Sequence, residues 1–353
     1  MTTITINRTK SRLHQQVLFG LGIGLLVLAF VSLSVGAFRI SLPEIAAIFG
    51  QYFGFGEADI SAQKSNVLLQ IRVPRLFLAI LIGGGLGITG ASLQGLFRNP
   101  LVEPGLIGVS TGGALFAVIY IVFGASIPFW HNLGPFALPL AAFLGGLLNT
   151  LLVYRISSSF GKTDISLLIL SGVAINALSA ALIGLVLFYG DDAAIRNFTF
   201  WSLGDIGGAN WSKVGIGFLL ILGPSIFLLS QYRNLNALSI GENEAFHMGV
   251  DVQKAKLILL VGSAIIVGTA VSMSGTIGFV GLVVPHLLRL SFGADHRLVL
   301  PGSFLLGAFL LTGSDMLART IVMPAEMPIG IITAIMGAPF FVWLILRFKK
   351  IRY

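Results

Sequence analysis

Long apolar stretches alternate with short polar ones along almost the whole of this 353-residue chain. Most of them are close to the roughly 17–25 residues that a helix needs to cross a bilayer. The pattern therefore predicts an all-α polytopic membrane protein. It contains ten apolar runs, at residues 17–38, 73–96, 106–127, 133–154, 165–190, 213–230, 256–273, 277–292, 299–318 and 328–346.

Only "SGT" separates the runs 256–273 and 277–292, so they form either one bent helix or two spans. Charge decides between these, because cytoplasmic loops are enriched in Lys and Arg. With ten spans, both termini lie on the same side of the membrane, and 15 of the 22 basic residues lie on that side. With nine spans, the basic C-terminal end "RFKKIRY" would lie on the opposite side. The sequence predicts ten transmembrane helices with both termini cytoplasmic.

We expect one transmembrane domain over residues 1–353, in which the longest non-apolar stretches, 39–72, 190–212 and 231–255, are loops. The first apolar run exceeds the roughly 7–15 residues of a signal-peptide core, which favours a retained helix. The 44 glycines, many inside the apolar runs, favour close helix packing over ligand binding.

Composition changes this picture little. Charged residues make up 10% of the chain, against about 25% in a typical soluble domain. The net charge of +8 is distributed between the apolar runs, so membrane topology explains it better than a nucleic-acid partner does. With no cysteine, the chain has neither a disulfide framework nor a thiolate metal site.

The chain lacks the motifs of catalysis. It has no G-x-x-x-x-G-K-[ST] phosphate loop and no His-Glu-x-x-His pair, which argues against an ATPase or a zinc enzyme. Ionisable groups inside spans would indicate an ion-driven carrier. The candidates are Asp315, which could simply pair with Arg319 four residues later, and His286, for which a structural or interfacial role is favoured.

Two arginines stand at the start of the second run, in "QIRVPRL". Pro74 suits the first position of a helix, with Arg72 and Arg75 on nearly the same face. Ten spans place them outside the cell, as they do Arg319 at the end of its own run. These arginines either anchor helix ends to lipid headgroups or form a docking site for carboxylates of a soluble partner.

The polar segment 236–256, "NALSIGENEAFHMGVDVQKAK", lies on the cytoplasmic side in this topology. Gly241 and Gly249 bracket a stretch that suits one short helix. It is either a solvated linker or a helix that lies in the groove of a cytosolic partner.

Several stretches resemble the FecCD family, the permeases of ABC importers for iron chelates and vitamin B12. The likeness covers residues 10–350, and it is carried by "RVPRLFLAILIGGGLGITGASLQGLFRNPLVEPGLIGVSTGGAL", "LILSGVAINAL", "LSIGENEAFHMGVD", "SGTIGFVGLVVPHLLRLSFGADHRLVLPGSFLLGA" and "EMPIGIITAIMGAPFFVWLI". The resemblance implies the type II importer fold: a homodimer of ten-helix subunits in the bacterial inner membrane, with the substrate pathway at the dimer axis.

The family also implies partners. Two cytosolic ATPase subunits would bind ATP and Mg²⁺, so that this chain needs no cofactor or metal of its own, and a periplasmic binding protein would deliver the substrate. Its carboxylates would pair with the positions that match the family's docking arginines, Arg72, Arg75 and Arg319. The coupling helix that contacts the ATPase would correspond to the segment with Gly241, Glu242, Ala245 and Gly249.

The resemblance maps the cytoplasmic gate onto Ile165 and Ser166, although "KTDISLL" departs there from a more hydroxyl-rich stretch in the family. Asn176 is a candidate for the pathway lining, with helix packing as the alternative. The stretch "LQGLFRNPLVEPGLIGVS" looks closer to haem and siderophore importers than to B12 importers. We therefore expect ATP-driven import of haem or a ferric siderophore, with vitamin B12 as the alternative and an ion-driven carrier or an intramembrane enzyme as rivals.

Overall fold

The computed structural model describes residues 2–55, 60–159 and 161–351, most of which are helical. In chain order the helices are α1 (Thr2–Ser34), α2 (Leu42–Tyr52), α3 (Ala62–Asn66), α4 (Val73–Leu96), α5 (Val109–Phe123), α6 (Pro128–His131), α7 (Ala137–Ser157), α8 (Ile165–Phe188), α9 (Asp192–Ser202), α10 (Trp211–Gly217), α11 (Gly223–Ser230), α12 (Tyr232–Leu238), α13 (Glu242–His247), α14 (Val252–Ser274), α15 (Val280–Phe292), α16 (His296–Ala318) and α17 (Ile329–Ile351).

The remaining elements are short. Two strands, β1 (Ser158–Ser159) and β2 (Lys162–Thr163), pair antiparallel just before α8. Single turns of 3-10 helix occur at Pro104–Ile107, Gly124–Ser126 and Gly134–Phe136, and π-helical turns occur at Val67–Arg72 and Phe218–Leu222.

Every predicted apolar run contains an apolar helix. In the described part of the chain, seven helical stretches are long and apolar enough to cross a membrane: 12–34, 62–96, 134–157, 165–188, 211–230, 252–274 and 296–318. Three more are apolar but shorter, at Val109–Phe123, Val280–Phe292 and Ile329–Trp343. The polytopic all-α architecture is therefore confirmed, whereas the count of ten crossings stays a prediction.

The two π-helical turns each precede a proline by two residues. Val67–Arg72 comes before Pro74, and Phe218–Leu222 before Pro224. A proline inside a helix lacks the N–H for the regular bond and its ring crowds the carbonyl of residue i−4, and a widened turn accommodates both. As a result the helix is continuous over residues 62–96, and the expectation that Pro74 begins it was wrong.

The stretches expected as loops contain helices as well. Residues 39–72 include α2 and α3, residues 190–212 include α9, and residues 231–255 include α12 and α13. Local caps explain two of these helices: Ser41 and Glu44 form a capping box on α2, and the Asp191 carboxylate accepts from the Ala194 N–H at 2.7 Å on α9. The expectation of loops therefore missed the helices in 39–72 and 190–212, whereas a short helix within 231–255 was expected.

The doubtful pair of runs forms two separate helices. α14 ends at Ser274 and α15 begins at Val280, with a non-helical connection at 275–279. A hydrogen bond of 2.7 Å from the Asp205 N–H to the Ser274 carbonyl fixes the end of α14. α15 starts deep in the bundle, since Gly281 packs against Gly90 in the second half of α4.

α4 is the central helix of the chain, and all of it except Phe77 and Ile80 is buried. Glycine makes this packing possible. A Cβ atom at Gly83 would lie 2.4 Å from the Gly307 carbonyl oxygen of α16, and one at Gly90 would lie 1.7 Å from that of Gly281. The glycines of "IGGGLGITG" thus serve backbone-to-backbone helix contacts, as small residues do in membrane helices.

Candidate docking and coupling sites

Three arginines and two acids meet at the N-terminal end of α4. We call Arg72, Arg75, Arg319, Asp315 and Glu326 the arginine cluster. The three arginines are 7%, 8% and 9% exposed, in that order, and Asp315 is 2% exposed. The structure therefore brings the predicted docking residues together, but it buries them within the chain.

Arg75 holds α4 against α16. Its Nε donates to Asp315 Oδ1 at 2.8 Å, and its Nη2 lies 2.8 Å from the same oxygen. On the other side, Nη1 donates to both Glu326 carboxylate oxygens, at 3.0 and 2.8 Å. The Glu326 side chain is 48% exposed, so it covers the outward end of the Arg75 guanidinium.

Arg72 and Arg319 cap the end of α1. Arg72 Nη1 donates to the Leu33 and Ser34 carbonyls, and Arg319 donates to the Val35 carbonyl and, at 2.8 Å, to the Ser32 hydroxyl. The last four carbonyls of a helix have no partner within it and carry partial negative charge, so guanidinium donors stabilise this end. These two arginines have a structural role that sequence analysis did not foresee.

Asp315 also pairs with Arg319, whose Nε lies 3.4 Å from Asp315 Oδ2. The predicted i,i+4 contact is therefore present, and the bond to Arg75 adds a second cation. His286 is buried in α15, and in the described part of the chain neither ring nitrogen has a hydrogen-bond partner. Its ring lies edge-on to Phe340, with 6.5 Å between centroids.

The predicted coupling segment lies at the opposite end of the bundle. α14 and α4 run antiparallel: a Cβ atom on Gly217 would lie 3.4 Å from Leu81, near the start of α4, and 3.8 Å from Met273, at the end of α14. The start of α14 is thus one helix length, about 34 Å at 1.5 Å per residue, from the end of α14 that lies toward the arginine cluster. Within this segment α13 is one short helix, as expected.

α13 has an inner and an outer face. Ala245 is fully buried and packs with α12 and with the start of α14, while Ile240, Phe246 and Met248 are 64%, 69% and 63% exposed. Gly241 and Gly249 flank the helix, and the φ of +84° at Gly249 is one that other residues rarely adopt. Of the three exposed side chains, Phe246 lies on α13, while Ile240 precedes this helix and Met248 follows it.

The predicted gate residues begin α8. Asp164 caps this helix by accepting from the Leu167 N–H at 2.9 Å, and of the next two residues Ile165 is half-buried and Ser166 exposed. Asn176, further along α8, donates to the Gly105 carbonyl at 3.1 Å and accepts from the Thr111 hydroxyl. Both ends of its amide are hydrogen-bonded within the chain, which fits the packing alternative.

Sequence analysis missed Glu326 and Lys256. Glu326 is the only acid after Asp315, and that isolation beside a predicted group of arginines was the available signal. Lys256 is 2% exposed, and its ammonium donates to the Glu242 carboxylate and to the Thr163 carbonyl, both at 2.7 Å. No sequence pattern predicts a hydrogen bond to a backbone carbonyl more than 90 residues away.

Comparisons with protein-family models, curated proteins and solved structures all indicate the same family. The model of the FecCD transport family matches residues 24–347. The chain is 43% identical to the hemin transport system permease protein of Yersinia pestis over 328 residues, covering 93% of this chain and 94% of that protein. It is 37% identical to the vitamin B12 import system permease protein of Vibrio vulnificus over 311 residues, covering 88% and 92%.

A solved structure, described as an inward-facing conformation of a metal-chelate type ABC transporter, superposes with a TM-score of 0.81 at 33% identity. The match covers 94% of this chain and 99% of that one. This family consists of permease subunits of ABC transporters, which associate with an ATPase and a substrate-binding protein and are not themselves enzymes. The chain is therefore a multi-pass membrane protein of the FecCD transport family.

Proposed function

We propose that this chain forms the transmembrane pathway of an importer that moves an iron chelate, haem or a ferric siderophore, from a periplasmic binding protein to the cytoplasm. We choose an iron chelate as the substrate because the chain is 43% identical to the hemin permease and 37% identical to the vitamin B12 permease. Vitamin B12 is the second candidate, and it is supported by the near full-length match to that relative.

Transport by the reconstituted complex tests this proposal. The permease, its ATPase and its binding protein are placed in proteoliposomes, and uptake of hemin, a ferric siderophore and cobalamin is measured with and without ATP. We expect ATP-dependent uptake of an iron chelate without any ion gradient. Uptake of cobalamin alone would favour the second candidate, and uptake that requires a proton gradient but no ATPase would contradict an ABC importer.

We place the pathway between two copies of the chain. α4 and its neighbours fill the centre of the protomer through backbone contacts, which favours a route along the exposed face of α8 at a dimer axis. Ser166 and Ile165 would form the cytoplasmic gate there. Because the chain has no cysteine, Ser166→Cys adds one reactive thiol per protomer. A bifunctional thiol reagent should then yield a covalent dimer.

The sidedness follows from the same arrangement. We propose the bacterial inner membrane, with both termini, α13 and the gate in the cytoplasm and the arginine cluster outside. The exposed Ile240, Phe246 and Met248 would seat α13 in a groove of the ATPase, which binds the ATP and Mg²⁺. A thiol reagent that does not cross membranes should label Glu326→Cys, but not Asn243→Cys, in intact cells whose outer membrane has been permeabilised.

The arginine cluster would receive the binding protein. Among the residues that the structure describes, its three guanidinium groups face two carboxylates, so that one positive charge has no acidic partner there. Arg75 is the contact point, because Arg72 and Arg319 are bonded to α1, whereas on its outward side, among the described residues, Arg75 is covered by the exposed Glu326. A carboxylate of the binding protein would replace Glu326 or bind beside it.

A further inference from the structure

Lys256 is a buried cation on the second turn of α14. Its side chain is 3% exposed, and a lysine is almost never so deeply buried unless it is paired. The ammonium donates to Glu242 Oε2 and to the Thr163 carbonyl oxygen, each at 2.7 Å. Both bonds are needed, because an unpaired charge at such a site would carry a large desolvation cost.

The two acceptors belong to different functional elements. Glu242 is the first residue of α13, which we assign to the ATPase contact. Thr163 ends β2 and lies two residues before Ile165, where α8 and the proposed gate begin. One ammonium group therefore bonds the start of the coupling helix to the strand that leads into the gate.

Two side chains of α14 bond to the backbone of Thr163, one to its N–H and one to its carbonyl. The Gln253 side chain, three residues before Lys256 on the same helix, accepts from the Thr163 N–H at 3.0 Å, and Lys256 donates to the Thr163 carbonyl. The Thr163 hydroxyl bonds to the Ser158 hydroxyl at 2.9 Å, which joins β2 to β1. The hairpin is thus fastened to α14 and, through Lys256, to α13.

We propose that Lys256 is a positioning residue that transmits displacement of α13, driven by the ATPase, to the start of α8. This inference rests on the proposed function, which supplies the ATPase seat and the gate. Lysine suits the role because its compact ammonium on a flexible stem can keep both bonds while its partners shift. When α13 moves, Glu242 draws the ammonium with it, and the Thr163 carbonyl and the residues that enter α8 follow.

The test measures coupling rather than activity alone. Wild-type and Lys256→Met permeases are reconstituted with the ATPase and the binding protein, and hemin uptake and ATP hydrolysis are followed in the same proteoliposomes. We expect ATP hydrolysis near the wild-type rate and a fall of about tenfold in hemin taken up per ATP, in the range of typical coupling effects. Lys254→Met is the matched control: Lys254 is an exposed lysine two residues earlier on the same helix, and its replacement should leave that ratio unchanged.

Glu242→Ala breaks the same bond from its half-exposed end and keeps the proposal testable if Lys256→Met folds poorly. It should also lower uptake per ATP, and the double variant should be no worse than Lys256→Met alone, because directly linked residues are not additive. A normal ratio in both single variants would overturn the proposal. So would a parallel loss of assembly, ATP hydrolysis and uptake in both, which would identify a static brace.

Gate movement gives a readout that does not depend on the cargo. Spin labels on Ser166→Cys report the distance between the two protomers, and ATP should change this distance in the wild-type background but not with Lys256→Met. No ATP-driven change in the wild type would contradict the proposed gate itself. The same change with and without Lys256 would leave the proposed function intact and overturn only the inference.

Discussion

The two ends of the protomer use buried cations in different ways. At one end the arginine cluster joins α1, α4 and α16, and in the described part of the chain its three guanidiniums face two carboxylates. At the other, Lys256 has one carboxylate and one carbonyl and no surplus charge. An unbalanced cluster can accept a further anion, whereas a balanced, enclosed one can only hold its partners together. The first arrangement suits the docking of a partner and the second suits the transmission of movement.

The largest effect should follow from removing Asp315. Asp315→Ala leaves Arg75 and Arg319 buried with Glu326 as their one remaining carboxylate partner among the described residues, and breaking a buried ion pair in this way costs about 3–5 kcal/mol. We expect little folded permease in detergent, or a marked fall in its thermal unfolding midpoint. The control is Asp192→Ala, at an exposed acid on α9, which should behave like the wild type. An unchanged midpoint for Asp315→Ala would show that the cluster is not what holds α4 to α16.

Glu326→Gln separates docking from folding in the same cluster. Its side chain is 48% exposed, so the fold should be retained, while the outward end of Arg75 loses its internal carboxylate. The binding protein should then bind about fivefold more tightly, as expected for about 1 kcal/mol at a partly exposed pair. Surface plasmon resonance on the detergent-solubilised complex measures this change. Weaker binding would mean that Glu326 is itself part of the contact with the binding protein.

Ionic strength should distinguish the two ends. Charges that meet at a surface are screened within about 10 Å at 0.1 M salt, whereas buried pairs are screened much less. Raising the salt should therefore weaken association with the binding protein. Uptake per ATP, measured at saturating binding protein, should not change, because Lys256 lies inside the protomer. A parallel fall in both quantities would contradict the distinction between a docking end and a transmitting end.

The same contrast explains what sequence analysis could predict. The ten apolar runs follow from bilayer thickness and were visible directly, and so was the local pair of Asp315 with Arg319. The bond of Arg75 to Asp315 joins residues 240 positions apart, and Lys256 bonds to a backbone carbonyl, which every residue has. Neither bond could therefore be predicted from the sequence. α2 and α9 were missed because each has only 11 residues, too few to stand out as an apolar run of spanning length.

The smallest effect should come from Glu44, which provides a hydrated reference for the buried pairs. Hydrogen bonds from Lys64 and then from the Ser41 backbone lower the pKa of this carboxyl from 4.5 to about 2, and it links α2 to α3. A depressed pKa contributes stability that is present above pH 4.5 and is lost as the pH falls toward 2. Glu44→Gln should therefore lower the unfolding midpoint slightly at neutral pH, and the difference from wild type should vanish on acidification to about pH 2. If Glu44→Gln lowered the unfolding midpoint as much as Asp315→Ala does, burial would not determine which of these ion pairs contributes more to stability. An exposed carboxylate on α2 would then stabilise the fold as much as one enclosed between α4 and α16.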